Sequence, residues 1–188
     1  RRITYVILKS SILSNIIYHE SFRTEYFSSV RVLRYCQEPM PMETLIQMQA
    51  LYPDLQFYSD YGLTETAGTI GVMGPEIHQN AGVCHHIPTT GSFLECVEVA
   101  LKDESGKEVS GAEVGELYIH VPYQCQNYLG GDRLGYWIST GDMGWFDRDG
   151  FFNLSGFRKK VPGQSSGDMY VLPAMARKKY VSIPLRNQ

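Results

Sequence analysis

Within the first sixty residues, short apolar runs alternate with segments of helical periodicity, and that order restricts the fold more than any other feature. Ile3 to Leu8 is rich in β-branched residues and predicts a strand. Ser11 to His19 places Ile12, Leu13, Ile16 and Ile17 at helical spacing. Val30 to Tyr35 predicts a second strand. Pro39-Met40-Pro41 then opens a helix in which Met42, Leu45, Met48 and Leu51 form an apolar stripe, and Pro53 stops it. Leu55 to Tyr58 predicts a third strand. A β-α-β-α-β order implies a parallel sheet covered by helices, hence an α/β fold.

Beyond Gly74 the texture changes. Val97, Val99 and Leu101 alternate with Glu98, Ala100 and Lys102, and Asp103-Glu104-Ser105-Gly106 reads as a turn. Gly115 to Val121 predicts another strand. Asp147-Arg148-Asp149-Gly150, between Trp145-Phe146 and Phe151-Phe152, reads as a hairpin turn. This half is expected to be an antiparallel β subdomain, with the boundary between Met73 and Thr90. From Arg158 onward a basic, Gly- and Ser-containing stretch reads as a linker.

Charge excludes one class of function. Seventeen basic and twenty acidic residues give a net charge of -3, which disfavours a nucleic-acid binder. No run approaches the eighteen apolar residues of a membrane span. The four cysteines, Cys36, Cys84, Cys96 and Cys125, form no Cys-x-x-Cys pair and no disulfide framework. A reducing compartment is therefore expected, so the protein reads as intracellular, cytoplasmic or organellar, and not secreted. Cys84-His85-His86, with His78 nearby, is a weak metal motif, because adjacent side chains in a strand point to opposite faces.

Two segments carry chemistry. Tyr58-Ser59-Asp60-Tyr61-Gly62-Leu63-Thr64-Glu65-Thr66 follows a predicted strand, at the carboxyl edge where open α/β sheets bind ligands. Tyr61 can stack on a flat base and Gly62 permits close backbone approach. Thr64 can donate to a phosphate, and Glu65 can hold a hard cation such as Mg²⁺. Read alone, the segment also fits a turn with a capping Thr-Glu pair. In Ile138-Ser139-Thr140-Gly141-Asp142, an exposed aspartate after a glycine turn can accept bonds from both ribose hydroxyls, or simply close an Asx-turn.

Together and in this order, these segments resemble the adenylate-forming superfamily of acyl-CoA synthetases, luciferases and coumarate-CoA ligases. Tyr58 to Thr66 matches its Tyr-Gly-x-Thr-Glu motif. Gly115-Glu116-Leu117 matches its Gly-Glu-Leu strand, and Thr140-Gly141-Asp142 its ribose motif. Ser29 to Leu33 matches the strand before its Gly-Ala-Pro-Leu loop, here Gln37-Glu38-Pro39-Met40. Lys9-Ser10-Ser11 stands in place of a Val-Pro-Pro turn. The resemblance implies an ATP-dependent ligase. A small carboxylic acid attacks the α-phosphate of ATP, pyrophosphate leaves, and coenzyme A or another thiol takes the acyl group from the acyl-adenylate.

By the same resemblance Thr64 and Glu65 are the catalytic residues, with Glu65 the Mg²⁺ ligand. Gln37, Glu38, Pro39, Tyr61, Gly62, Asp142 and Arg158 bind ATP or AMP. Residues 1–74 are expected to be the C-terminal part of the α/β AMP-binding subdomain, 75–157 the β subdomain, and 158–188 the hinge with a truncated start of the lid. A protein partner is expected to cover the truncated face.

Several positions depart from the superfamily. Cys36-Gln37 stands where glycines are usual. At the hinge, Gly156-Phe157-Arg158-Lys159 replaces Gly-Arg. Without a gap Phe157 takes the nucleotide-binding arginine's place; with a one-residue insertion Arg158 does. No Gly-x-x-x-x-Gly-Lys cradle for phosphates is present. These 188 residues alone are therefore expected not to turn over, and a degenerate relative serving as a nucleotide-binding or scaffold module is the alternative.

Overall fold

The computed structural model describes residues 2–79, 89–131, 133–158 and 169–171. The first sheet runs β1 (Tyr5–Lys9), β2 (Val32–Cys36), β3 (Gln56–Leu63), β4 (Gly68–Met73) and β5 (Ser92–Phe93), in that spatial order. The three expected strands are present and pair in parallel, Tyr35 opposite Leu8 and Ser59. The sheet is nonetheless mixed, because β4 and β5 return antiparallel.

Helices α1 (Ser10–Ile17) and α2 (Met42–Leu51) form the crossovers. Pro41 supplies the N-cap of α2 and its carbonyl accepts the Leu45 N–H at 3.1 Å. A short helix, α3 (Pro75–Gln79), follows β4. Leu13, Leu33, Leu45, Met48 and Phe57 pack into one buried core between the helices and one face of the sheet. The opposite face of β1 leaves Tyr5 and Ile7 about half exposed.

The second sheet contains β6 (Glu98–Lys102), β7 (Glu108–Val109), β8 (Gly115–His120), β9 (Ile138–Phe146), β10 (Phe152–Arg158) and β11 (Met169–Val171). Its order is β11-β10-β9-β8-β6-β7, antiparallel throughout. The predicted hairpin at Asp147–Gly150 joins β9 to β10. Part of the stretch read as a linker is strand instead, since Gly156, Phe157 and Arg158 pair with β11. Leu117, Ile119, Ile138 and Phe152 form a second core. Ile70 of β4 joins this core, so the two sheets pack directly on each other. No helix of the described residues is long and apolar enough to cross a membrane.

Candidate nucleotide site

The crevice between the two sheets opens at the carboxyl ends of β2 and β3, where the strand direction changes from parallel to antiparallel. β3 runs through Leu63, so Tyr61 and Gly62 lie in a strand rather than in a turn. A bulge at Tyr61/Gly62 in the β3–β4 ladder re-aims the strand. Gly62 is obligatory there, because a Cβ would sit 2.0 Å from the Gly68 carbonyl oxygen. Thr64–Thr66 then forms one 3-10 turn, in which Thr66 Oγ1 accepts the Leu63 N–H at 3.1 Å and donates to the Gly68 carbonyl at 2.8 Å.

Asp142 also differs from expectation. It lies within β9 and is half-buried, not exposed in a loop. Gly141 before it adopts φ 80°, and the Asp142 N–H donates to Thr140 Oγ1 at 3.0 Å. Thr140 Oγ1 in turn donates to the Leu117 carbonyl at 2.9 Å, which ties the ribose motif to the Gly-Glu-Leu strand.

Tyr61 and Asp142 meet across the crevice. The phenol donates to Asp142 Oδ2 at 2.5 Å, a bond linking positions 81 residues apart on different sheets. The Tyr61 ring stands edge-on to Phe93 at 6.0 Å. Burial, then the Asp142 charge, holds the phenol well above its usual pKa. Burial also raises the Asp142 carboxyl, opposed by the Tyr61 hydrogen bond and aided by the charge of Glu116. Asp142 Oδ1 has no hydrogen-bond partner among the described residues.

A cavity of about 370 Å³ extends from this pair and is lined also by Gln37, Glu38, Pro39 and Gly62. Six of the residues singled out in the sequence thus line one cavity. Thr64 and Glu65 are not in the lining; they follow Leu63 just past its lip. Arg158 ends β10, with its backbone paired to Met169. Phe157 sits directly opposite Asp142 in the β9–β10 ladder and lines the cavity.

Sequence reading missed the parts that hold this wall. Ser10 is fully buried and its Oγ donates to the Glu38 carbonyl at 2.8 Å; the Ser11 N–H reaches Glu38 Oε2 at 3.3 Å. The start of α1 therefore anchors the Gln37–Pro39 loop. Two serines after a predicted strand were the available signal. Gln37 itself adopts φ 72°, a left-handed conformation normally left to glycine. The floor is Tyr35, whose hydroxyl donates to His78 Nε2 at 2.9 Å while His78 Nδ1 donates to the Gly74 carbonyl at 2.6 Å. His78 is buried and both ring nitrogens are engaged, and burial lowers its pKa. Cys84, His85 and His86 lie outside the described residues.

The charged side chains in the lining are Glu38, Asp60 and Asp142. Arg34 neutralises Asp60 through a two-pronged ion pair, its Nε donating at 2.8 Å. Glu65 accepts a hydrogen bond from the Tyr128 phenol, and that bond above all pushes the phenol up to about 12. Among the described residues no three His, Cys, Asp or Glu side chains cluster as a metal cage. A single, partly exposed carboxylate fits a hard cation that arrives on nucleotide phosphates, the usual mode for Mg²⁺.

The sequence profile of the AMP-binding enzymes matches residues 1–129. The chain belongs to that family. Among its relatives, the feruloyl-CoA synthase of Amycolatopsis is 25% identical over 97% of this chain. The fatty acid–acyl-carrier-protein ligase of Streptomyces coeruleorubidus is 30% identical over 66% of it. The amide bond synthetase of Marinactinospora thermotolerans superposes with a TM-score of 0.67 at 25% identity, covering 86% of this chain and 33% of that one. The o-succinylbenzoate CoA synthetase of Bacillus subtilis, bound to its acyl-adenylate, superposes at 0.65 and 20% identity, covering 83% and 31%, and supports the fold alone. This member of the family spans 39% of the feruloyl-CoA synthase and 25% of the acyl-carrier-protein ligase.

Proposed function

We propose that this chain forms the nucleoside-holding half of an adenylate-forming active site, within an ATP-dependent ligase that joins a small carboxylic acid to a thiol. The 2.5 Å bond between Tyr61 and Asp142 carries the reading. It sets an aromatic ring suited to a base beside a carboxylate suited to a ribose diol, at one mouth of one cavity. Gln37, Glu38 and Pro39 line the base side. A nucleotide seated there would send its phosphates past Gly62 toward Thr64, whose hydroxyl would donate to them, and toward Glu65. Mg²⁺ held by Glu65 would neutralise charge on the phosphates as the acid oxygen bonds to the α-phosphorus and pyrophosphate leaves. The acyl group would then pass to coenzyme A or a carrier thiol. Residues 1–74 would serve as the α/β part, 75–157, apart from the β5 strand that joins the first sheet, as the β part, and 158–188 as the hinge and start of the lid, and the exposed face of β1 would take a further packing partner.

One observation favours a second reading, a nucleotide-binding module without turnover. Phe157, not a cation, faces the cavity opposite Asp142. Two experiments separate the readings. In an NMR titration with AMP, the proposal predicts shift changes confined to Gln37–Met40, Asp60–Leu63 and Thr140–Asp142; changes elsewhere, with these residues silent, overturn it. Acid-dependent exchange of pyrophosphate into ATP by the whole ligase supports catalysis. Nucleotide binding without exchange supports the module.

A further inference from the structure

Tyr128 lies in the connection between β8 and β9, 63 residues from Glu65, yet its phenol donates to Glu65 Oε1. A second bond seats the same connection on the same residue: the Cys125 N–H donates to the Glu65 carbonyl at 2.8 Å. Tyr128 projects from a fixed backbone turn. Its carbonyl accepts the Gly131 N–H at 3.0 Å and Asn127 Nδ2 at 3.1 Å, with Gly130 at φ 71° closing the turn. Tyr128 is 53% exposed, so the contact is held by hydrogen bonds rather than by burial. Glu65 Oε2 has no hydrogen-bond partner among the described residues.

A carboxylate with one oxygen already accepting a hydrogen bond offers a cation the other more readily, because bidentate contact would have to share the engaged oxygen's lone pairs. Mg²⁺ takes single oxygens in a tight octahedron and keeps several waters, whereas Ca²⁺ gathers more oxygens and readily accepts both from one carboxylate. We propose that Tyr128 is a positioning residue that holds Glu65 Oε1 and leaves Oε2 alone for the cation, so that the site prefers Mg²⁺ over Ca²⁺ on a bound nucleotide. This rests on the nucleotide reading above. The phenol acts through Glu65 and touches neither nucleotide nor metal.

Calorimetry on the 188-residue chain tests it, with adenosine, with ATP and EDTA, and with ATP and either cation, for wild type, Tyr128→Phe and Glu65→Gln. Unchanged circular dichroism and melting in the variants establish that they fold. In wild type, ATP is expected to bind at least about fivefold tighter with Mg²⁺ than with Ca²⁺. Tyr128→Phe is expected to narrow that ratio to within about twofold, by releasing Oε1 for bidentate contact, while adenosine affinity stays put. Glu65→Gln is expected to abolish the response to both cations. A ratio that Tyr128→Phe leaves intact, or an equal loss for adenosine and ATP, overturns the positioning role and leaves the nucleotide reading standing. Adenosine binding with no cation effect overturns the role of Glu65 along with it. Absence of adenosine binding by folded wild type overturns the nucleotide reading itself.

Discussion

Replacing Tyr61 by phenylalanine deletes one oxygen and isolates one interaction. The edge-on contact with Phe93 at 6.0 Å survives, while the 2.5 Å bond to Asp142 Oδ2 is lost. A hydrogen bond to an ionised group contributes about 1.5–3 kcal/mol. Removing the cost of burying the phenol offsets part of this, leaving a net loss of about 1–2 kcal/mol at neutral pH. For a chain of this size that lowers Tm by about 2–8 °C. The pH dependence follows from Asp142. Burial raises its carboxyl and the Tyr61 bond opposes that rise, so deleting the hydroxyl lifts the native carboxyl further. The wild-type advantage is thus present while Asp142 is ionised and shrinks as pH falls through its native pKa, because a protonated carboxyl gains less from the phenol. Thermal unfolding of both proteins, followed by circular dichroism from about pH 8 down to about pH 4, measures the gap. A gap under about 1 °C at neutral pH, or one constant across the range, refutes the reasoning.

Three further outcomes are expected. Gly62→Ala drives a Cβ to 2.0 Å from the Gly68 carbonyl oxygen and 3.0 Å from Thr69 Cα, so the bulge must open; a loss of about 3 kcal/mol or more by urea unfolding is expected, with nucleotide binding lost alongside. Gln37→Gly relieves a left-handed φ of 72° and should raise urea-unfolding stability by up to about 1 kcal/mol, since the lost strain exceeds the added chain entropy only slightly. Leu117→Ala empties a fully buried position in the second core and should cost about 2–5 kcal/mol in the same assay.

The alternation of strands and helices was legible because apolar spacing reports it directly. Ile3 to Leu8 and Val30 to Tyr35 lie within one or two residues of β1 and β2. The hairpin at Asp147–Gly150 was legible from its turn residues. What escaped was the antiparallel return of β4. Gly68, Gly71 and the Gly62 bulge give that segment the composition of a loop, although Ile70 and Met73 are buried. Asp142 read as a loop residue for the same reason: Gly141 suggests a turn, while pairing with Phe157 of β10 keeps Asp142 in a strand. Tyr61 and Asp142 were each found from local motifs. Their contact was not, because only the packing of one sheet on the other brings them within a hydrogen bond. Ser10 has only the weak signal of two serines after a strand and Tyr128 has none; each acts on a residue 28 or 63 positions away.

The most direct measurement is calorimetric binding of a non-hydrolysable acyl-adenylate analogue to this chain, beside Asp142→Ala. Saturable one-to-one binding by the wild type, abolished or weakened at least about tenfold by the substitution, is the predicted result. Binding that Asp142→Ala leaves unchanged, or no binding by a folded chain, contradicts a nucleoside site built on Tyr61 and Asp142.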